Sequence, residues 1–475
     1  MELAGKRFLV LGLGESGLAM AKWLHRQGGV VRVADSRENP PNREALAAVA
    51  PEIEVVGGPF RAEMFDDADY IARSPGVPIS TPALAAVAGK VPVIGELDLF
   101  IDALRDIDCG AKVLAITGSN GKTTTTALTA HLLNGVGISA LACGNISPSM
   151  LDALMGGLDT GNLPQVHVLE LSSFQLETGP LPGCAHARFH AATVLNLSAD
   201  HLDRHADMAA YREAKLAVFH GARFHVVNRD SLLPGGFSLR GVEAPQAVWY
   251  YGCQARAADA RIADDLPAQG LFVEENAIWL IGGAGRKRLI GLDEIPLKGM
   301  HNAINVAAAL ALCATLIVEL EQLLPALKTF KGLPHRVEPV AEIDGVLYVD
   351  DSKGTNVGAT LAAIEGMGKP VAIVLGGDGK GQDFTPLKAA LDKHGRAVAL
   401  IGKDKDAIAQ AIGGGLPMNA FADLETAVRW LAAQARSGDC VLLSPACASW
   451  DMFRNYAHRA EVFVGAVRAL AGGRG

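Results

Sequence analysis

The chain has 475 residues, of which 49% are hydrophobic and 20% are charged, and its formal net charge is −8. This length allows about three domains of ordinary size, and the apolar content argues against a disordered chain. The negative charge argues against a nucleic-acid surface built on general basicity, so we expect no nucleic-acid partner, although a local phosphate site stays open.

Cysteine usage and the first residues bear on the compartment. Seven cysteines are scattered without a CxxC pair, which is typical of reduced cytosolic thiols. The first residues run straight into a strand and a glycine turn, without the regions of a signal peptide, and no apolar run is long enough to span a bilayer. We therefore expect a cytoplasmic protein without membrane insertion. Nothing in the sequence indicates an interface, so we expect a monomer.

The first motif is the glycine turn GLGESG at residues 12–17, between an apolar strand and a helical pattern. Asp35 ends the next strand, as an acid does in dinucleotide-binding folds. Backbone at Gly12 and Gly14 can approach the diphosphate of any nucleotide. The turn therefore predicts either NAD or another nucleotide diphosphate, and a turn whose glycines serve packing alone is a third interpretation.

A second strand and turn, SPGVP at residues 74–78, falls at the same carboxyl edge, where ligands of α/β folds sit. From Gly95 to Asp108 the apolar helix pattern fades. We place the first domain boundary in this stretch, after residue 97.

The stretch AITGSNGKTTTT, residues 115–126, predicts a strand, a glycine loop and a helix. Backbone N–H groups of such a loop cradle phosphates, Lys122 reaches the outer phosphates, and the Thr123 hydroxyl can hold Mg²⁺. The loop is a variant of the Walker pattern, because Ile116 stands where the first glycine is usual and that glycine is displaced to Gly118. A tight turn without a ligand is the alternative.

Polar residues in the apolar central region are further candidates. Glu170 lies within an apolar strand, where a carboxylate is costly unless it is paired, so Mg²⁺ or an internal salt bridge is expected beside it. A polar loop from Asp200 to His205 follows another strand, and Lys215 on the next helix would ordinarily be read as a solvated face. Asn302 and Asn305 lie one helical turn apart.

GLPHR at residues 332–336 forms a natural second boundary. Beyond it three apolar strands end in polar groups, at Asp350–Asn356, Gly376–Lys380 and Ser444–Asp451. The carboxyl ends of parallel strands meet at one edge of a sheet, so a ligand-binding domain is predicted.

Together these motifs resemble the Mur ligase family, ATP-dependent amide-forming enzymes of peptidoglycan synthesis. The segments that carry the resemblance are TGSNGKTTT, LELSSFQLE, DHLD at 200–203, HNAIN at 301–305, GLPHR, DSKGTN at 351–356 and LSPACASWD. They cover nearly the whole chain. LELSSFQLE, GGDGKGQDF and LSPACASWD are most similar to the member that adds D-glutamate to UDP-N-acetylmuramoyl-L-alanine.

The resemblance implies an α/β fold with three domains. Residues 1–97 would form a Rossmann-like domain that binds the UDP sugar. Residues 98–332 would form a P-loop-type ATPase domain with a parallel-rich sheet, and residues 333–475 a Rossmann-like domain that binds the amino acid. ATP's γ-phosphoryl group would pass to the alanyl carboxylate, and the D-glutamate amine would displace phosphate from the acyl phosphate through a tetrahedral intermediate.

The resemblance also implies roles for individual residues. Residues that would contact ATP are Gly118, Ser119, Asn120, Gly121, Lys122, Thr123, Thr124, Asn305, Arg336 and Asp351. Two Mg²⁺ sites would use Thr123 and Glu170 for the first and His201 and Lys215 for the second, with Lys215 carbamylated. The catalytic set would be Lys122, Glu170, His201 and Lys215.

The two remaining sets concern the other substrates. The UDP precursor would be bound by Gly14, Ser16, Ser36, Arg37, Ser74, Gly76 and Asn145. D-Glutamate would be bound by Thr355, Lys380, Ser449 and Tyr456.

Other classes of protein remain as alternatives. A relative that joins a different amino acid, or a folate-polyglutamate synthetase, would use a similar ATP loop. An NAD-dependent dehydrogenase would explain the first glycine turn and Asp35 but leave Lys122, Glu170 and Lys380 without a role. A nucleotide-regulated binding protein without catalysis would also use the loop.

Overall fold

Three sheets, each mostly parallel, follow one another along the chain. The computed structural model describes residues 2–107, 109–177, 189–198, 200, 204–232, 246–253, 269–282 and 285–472. The α/β class predicted from the sequence is confirmed.

The first sheet has five parallel strands in the order β3-β2-β1-β4-β5. Its elements are β1 (Arg7–Leu11), α1 (Glu15–Arg26), β2 (Val30–Asp35), α2 (Arg43–Val49), β3 (Glu54–Gly57), β4 (Tyr70–Arg73), α3 (Pro82–Ala85) and β5 (Val93–Ile94), followed by α4 (Glu96–Ile107). The turn after β1 and the turn after β4 lie side by side, because these two strands are neighbours.

The second sheet has nine strands in the order β14-β13-β12-β11-β10-β9-β6-β8-β7, with antiparallel pairing only at β12, β13 and β14. Its first elements are β6 (Lys112–Thr117), α5 (Lys122–Gly135), β7 (Ala140–Gly144), α6 (Met150–Thr160), β8 (Val166–Glu170), α7 (Ser173–Leu176), β9 (Phe189–Val194) and α8 (Met208–Leu216). The remainder are β10 (Ala222–Asn228), α9 (Arg229–Leu232), β11 (Ala247–Gly252), β12 (Gln269–Glu274), β13 (Ala277–Gly282), β14 (Gly285–Gly291), α10 (Met300–Ala314) and α11 (Leu320–Leu327).

The third sheet has six strands in the order β15-β16-β20-β17-β18-β19, and only β15 is antiparallel to its neighbour. Its elements are β15 (Glu338–Ile343), β16 (Val346–Asp350), α12 (Val357–Gly366), β17 (Val371–Gly376), α13 (Pro386–His394), β18 (Gly395–Ile401), α14 (Lys405–Ile412), β19 (Met418–Ala420), α15 (Leu424–Gln434), β20 (Cys440–Leu443) and α16 (Tyr456–Gly472). The three strands predicted to share one edge are β16, β20 and β17, which are adjacent and parallel, so that prediction is confirmed.

The sequence was interpreted as losing its helical pattern from Gly95 to Asp108, but the structure has helix α4 over Glu96–Ile107. Leu97 and Phe100 of this helix are buried in one core cluster that includes residues of the first sheet and residues of the second. The helix is amphipathic, so its pattern was present in the sequence and the interpretation was wrong. Its acidic residues Glu96, Asp98 and Asp102 are buried along with Leu97 and Phe100. The boundary drawn after residue 97 runs through this helix.

Strand β6 of the central sheet is buried from Val113 to Thr117, as expected when helices cover both faces of a parallel sheet.

The lengths of the helices bear on the predicted absence of membrane insertion. Across the part of the chain that the structure describes, every helix falls short of the length or apolar character that a membrane span requires.

Replacing Ile317 with glycine should stabilise the protein by about 1 kcal/mol, because a left-handed backbone costs an L-residue roughly 1–2 kcal/mol and glycine little. Ile317 follows α10 with a φ of 61° and is 95% exposed, so its side chain contributes little burial in return. Chemical denaturation of the wild type, Ile317→Gly and Ile317→Ala would give the three free energies of unfolding for comparison. A glycine variant less stable than the alanine variant would contradict the strain argument.

Candidate active site

The phosphate loop lies between β6 and α5. Gly121 caps α5 with a φ of 82°, which favours glycine. Lys122 Nζ donates hydrogen bonds to the carbonyl oxygens of Gly118 at 2.8 Å and Ser119 at 2.9 Å. Burial lowers the pKa of Lys122, and the nearby Glu170 carboxylate opposes that shift. The loop therefore combines a helix N-terminus with an ammonium group, as an anion site requires.

Replacing Gly121 with alanine should reduce activity about a hundredfold at fixed ATP, because a Cβ there would lie 2.4 Å from Asn305 Oδ1 and the positive φ would be strained. Gly156→Ala in α6 is the matched control, since its Cβ meets no atom within 4 Å. Phosphate release at several ATP concentrations would measure the effect. Equal activity of the two variants would contradict a tightly fitted loop.

Glu170 ends β8 and is 3% exposed. Its Oε1 accepts a hydrogen bond from Asn145 Nδ2 at 2.8 Å, and its Oε2 is buried without a hydrogen-bond partner among the described residues. Among the described residues Glu170 forms no salt bridge, so that alternative finds no support in this part of the chain. Because Mg²⁺ prefers oxygen ligands, a buried carboxylate oxygen of this kind fits the predicted ion.

Lys215 is 2% exposed, so its interpretation as a solvated helix face is wrong. Its Nζ donates to Gly118 O at 2.9 Å and lies 4.7 Å from the centroid of the Tyr211 ring. Burial, followed by repulsion from Lys122, lowers the pKa of Lys215 well below its usual value. The amine therefore spends more time neutral, and hence nucleophilic, than an exposed lysine would.

A cavity of about 290 Å³ lies between the phosphate loop and the start of the third sheet. Six residues predicted to contact ATP line it: Asn120, Gly121, Thr124, Asn305, Arg336 and Asp351. The other four are linked to this set or to each other. The Thr123 hydroxyl accepts a hydrogen bond from Arg336 Nη2, and Lys122 donates to the carbonyl oxygens of Gly118 and Ser119.

The same cavity contains side chains that sequence reasoning had not assigned. His301, Asn302 and Lys353 line it, and they lie in the motifs HNAIN and DSKGTN that carry the family resemblance. The Lys353 ammonium lies 3.8 Å from the centroid of the Tyr456 ring, and burial lowers the pKa of Lys353 to about 8. Motif membership was the available signal, but it did not say which side chains point inward.

Asp351 is 7% exposed, and burial raises its pKa to about 7 against the opposing effects of Ser444 and Arg336. Ser444 Oγ donates to Asp351 Oδ2 at 2.6 Å. This carboxyl group at the cavity wall could accept hydrogen bonds from hydroxyl groups of a sugar.

Asn356 joins the third sheet to the central one. Its Nδ2 donates to Asn120 Oδ1 at 3.0 Å and to Asp200 Oδ2 at 3.2 Å. The phosphate loop and the loop that begins at Asp200 therefore meet the third sheet at one point. The predicted metal ligand His201 lies outside the described residues.

In the described part of the chain, one group of His, Cys, Asp and Glu side chains is close enough to hold a metal, and it is not the predicted magnesium site. It consists of His335, Glu338 and Asp350. His335 Nδ1 lies 2.7 Å from Asp350 Oδ2, and the His335 N–H donates to Glu338 Oε2 at 2.8 Å. These contacts satisfy the group internally and hold the backbone beside Arg336.

A second cavity, of about 430 Å³, lies at the carboxyl edge of the first sheet. All the residues predicted to bind the UDP precursor line it: Gly14, Ser16, Ser36, Arg37, Ser74, Gly76 and Asn145. Asn145 comes from the central sheet, so the cavity spans the first two sheets.

Asp35 in this cavity bears on the dehydrogenase alternative. Its two oxygens accept from the N–H groups of Leu13 and Arg37 and from two guanidinium nitrogens of Arg37, at 2.7–2.9 Å. Four donors fill the roughly four acceptor positions of a carboxylate. Little capacity remains for the ribose hydroxyls of NAD, and Asp35 instead holds Arg37 in place.

The residues predicted to bind D-glutamate are Thr355, Lys380, Ser449 and Tyr456, which follow β16, β17 and β20. Asp378 and Ala448 pair through two backbone hydrogen bonds of 3.0 and 2.8 Å, which brings the loops of Lys380 and Ser449 together. Ser449 is 3% exposed, whereas Lys380 is exposed. These four residues line neither of the two cavities above.

A strand, a glycine loop with Lys122 and a helix beside a cavity is the arrangement typical of phosphate-loop, nucleotide-dependent enzymes. Three family descriptions match the chain in order: "Mur ligase MurD-like, N-terminal domain" over residues 6–95, "Mur ligase middle domain" over 116–313 and "Mur ligase, glutamate ligase domain" over 335–447. The chain belongs to the Mur ligase family.

Whole-chain relatives agree with these matches. A protein of Dechloromonas aromatica named UDP-N-acetylmuramoylalanine–D-glutamate ligase is 58% identical over 99% of this chain and 100% of its own length. Proteins of the same name from Aromatoleum aromaticum and Nitrosospira multiformis are 50% and 47% identical, over 98% and 100% of this chain and 98% of their own lengths.

Solved structures agree at the level of the fold. MurF from Acinetobacter baumannii is 17% identical with a TM-score of 0.59, over 97% of this chain and 91% of its own. UDP-N-acetylmuramate-alanine ligase MurC from Thermotoga maritima is 19% identical with a TM-score of 0.57, over 98% of this chain and 99% of its own.

Proposed function

We propose that this Mur ligase joins D-glutamate to UDP-N-acetylmuramoyl-L-alanine with conversion of ATP to ADP and phosphate. The observation that carries the proposal is the contact between Asn145 and Glu170. Asn145 lines the cavity of the predicted UDP site, and its amide holds Glu170 beside the phosphate loop. A precursor bound in that cavity would present its far end to the γ-phosphate of ATP.

The chemistry follows from the poor reactivity of a carboxylate, which is anionic and has no adequate leaving group. Transfer of the γ-phosphoryl group to the alanyl carboxylate forms a C–O–P linkage and releases ADP. The D-glutamate amine then attacks the carbonyl carbon, the tetrahedral intermediate expels phosphate, and the amine loses a proton. Positioning and neutralisation of charge are what the protein must supply.

Lys122 and Arg336 are the cations suited to neutralise the phosphates. Both lie beside the phosphate loop, and Arg336 contacts Thr123. Thr123 and Glu170 would hold a magnesium ion, which supplies Lewis-acid stabilisation of phosphate charge when bound. The buried Oε2 of Glu170 supports this assignment. Asp351 would receive the ribose.

Lys215 is proposed to carry a carbamate. Its neutral amine would attack carbon dioxide, form an N–C bond and release one proton, which converts a buried amine into a carboxylate-like group. The buried position and the lowered pKa of Lys215 support this reaction. Such a group, with His201, would serve a second magnesium ion.

D-Glutamate is proposed to bind where the loops after β16, β17 and β20 converge. Lys380 would receive a side-chain carboxylate as a point charge, and the Ser449 hydroxyl would donate a hydrogen bond. Thr355 and Tyr456 stand at the same edge.

The test is phosphate release from ATP and Mg²⁺ in the presence of UDP-N-acetylmuramoyl-L-alanine, with D-glutamate compared with L-glutamate, meso-diaminopimelate and L-lysine. We expect release that requires both the precursor and D-glutamate, with an amide product by mass. Release with another amino acid would overturn the substrate assignment within the family. No release with any of them would overturn ligase activity itself.

A further inference from the structure

The turn at residues 74–77 lines the second cavity, and two arginines bind its carbonyl oxygens. Arg73 Nη1 donates to Val77 O at 2.7 Å. Arg204 donates from Nη2 to Pro75 O and from Nη1 to Gly76 O, both at 3.3 Å. Three consecutive carbonyl groups of this turn are therefore held by guanidinium groups.

Both arginines are anchored to the central sheet's side of the molecule. Arg73 is 1% exposed, and its Nη2 donates to Phe174 O at 3.1 Å and lies 3.3 Å from Glu177 Oε2. The guanidinium carbon of Arg204 lies 4.3 Å from the centroid of the Phe174 ring, within cation–π range. The turn is consequently fixed against α7, which follows Glu170.

Peptide geometry shows what this clamp does to the turn. A planar trans peptide points its C=O and its N–H in opposite directions. Because Pro75 O faces Arg204, the N–H of Gly76 in the same peptide points to the opposite side. Val77 N–H bonds Ser74 O at 3.0 Å within the turn, whereas a Cβ built on Gly76 would meet no atom within 4 Å.

We propose that Arg204 and Arg73 are positioning residues that turn the Gly76 N–H toward a nucleoside diphosphate bound in the 430 Å³ cavity. The inference rests on the proposed function, which supplies such a group in the UDP precursor. The Arg204 guanidinium also adds positive potential near the turn, whereas the charge of Arg73 is balanced by Glu177. Neither side chain needs to touch the precursor.

The test replaces Arg204 with methionine, which keeps much of the volume, and with lysine, which keeps the charge but not the fork that reaches two carbonyls. We expect Arg204→Met to raise the KM for the UDP precursor about tenfold and to weaken its binding in calorimetry without ATP by the same factor. The kcat and the KM for D-glutamate should stay within twofold, and Arg204→Lys should fall between. Arg73→Met should act in the same direction.

Arg61→Met is the matched control, since Arg61 is an exposed arginine before the strand that carries the turn. It should change none of these constants. An unchanged precursor KM and affinity in Arg204→Met would overturn the inference. So would a lower kcat together with a raised KM for every substrate and a lower thermal midpoint, because that pattern indicates general structural damage. Wild-type protein that neither binds nor turns over the precursor would instead overturn the proposed function, and the inference with it.

Discussion

Lys215→Ala is expected to lose about a thousandfold in kcat, roughly 4 kcal/mol of transition-state stabilisation. Alanine removes the buried amine that donates to Gly118 O and that is proposed to become a carbamate. Added acetate or formate should restore part of the activity, because a small carboxylate can occupy the space and replace the charge. Phosphate-release assays with and without these anions measure both effects.

A readout other than activity separates the carbamate from a purely structural lysine. Wild-type protein exchanged into ¹³C-bicarbonate should show a carbamate carbonyl signal by NMR that Lys215→Ala lacks. Because the neutral amine is the reactive form, this signal should grow as the pH rises through the lowered pKa of Lys215. Glu213→Ala, exposed on the same helix, is the matched control. Full activity of Lys215→Ala would refute the assignment.

Glu170→Gln should reduce kcat by a hundredfold or more, because it keeps the shape of the side chain and removes the charge that would face a metal ion. An amide can still accept from Asn145 Nδ2, so the strand end should keep its place. The direct measurement is ADP affinity with Mg²⁺ and with a chelator. In the wild type Mg²⁺ should tighten ADP binding, and in the variant this gain should shrink.

Glu319→Gln, an exposed carboxylate on the same domain, should leave the magnesium effect unchanged. If Glu170→Gln binds ADP with the full magnesium effect, Glu170 does not hold the ion. Lower activity with an intact magnesium effect would then point to a role in orienting Asn145.

Several parts of the fold were predictable because local patterns carried them. The residues around the glycine loop before Lys122 predicted a strand, a loop and a helix, and the structure has β6 and α5 in that order. The phosphate site at this loop stays a prediction. The edge shared by β16, β20 and β17 was also predictable, because the carboxyl ends of parallel strands, with the polar residues that follow them, lie at the same edge of a sheet. Site roles remain predictions from the resemblance until they are tested.

Other features were not readable from local pattern. One of them is the packing of helix α4 against both the first and the second sheet, because its own amphipathic pattern does not say which elements will cover it. Arg73 and Arg204 donate hydrogen bonds to one turn although they are far apart in the chain. The residues next to each of them in the sequence do not indicate this shared contact.

The sequence by itself determined the strand–loop–helix segments, the glycine turns and the polar groups at strand ends, because these depend on residue type and short spacing. The three-domain α/β fold came from the resemblance to a family. Only the tertiary structure decided which groups meet. Lys215 reads as a surface residue along its own helix, yet it contacts Gly118, 97 residues away. That contact arises because β9 pairs beside β6, and strand order is set by packing across the sheet rather than by any local pattern.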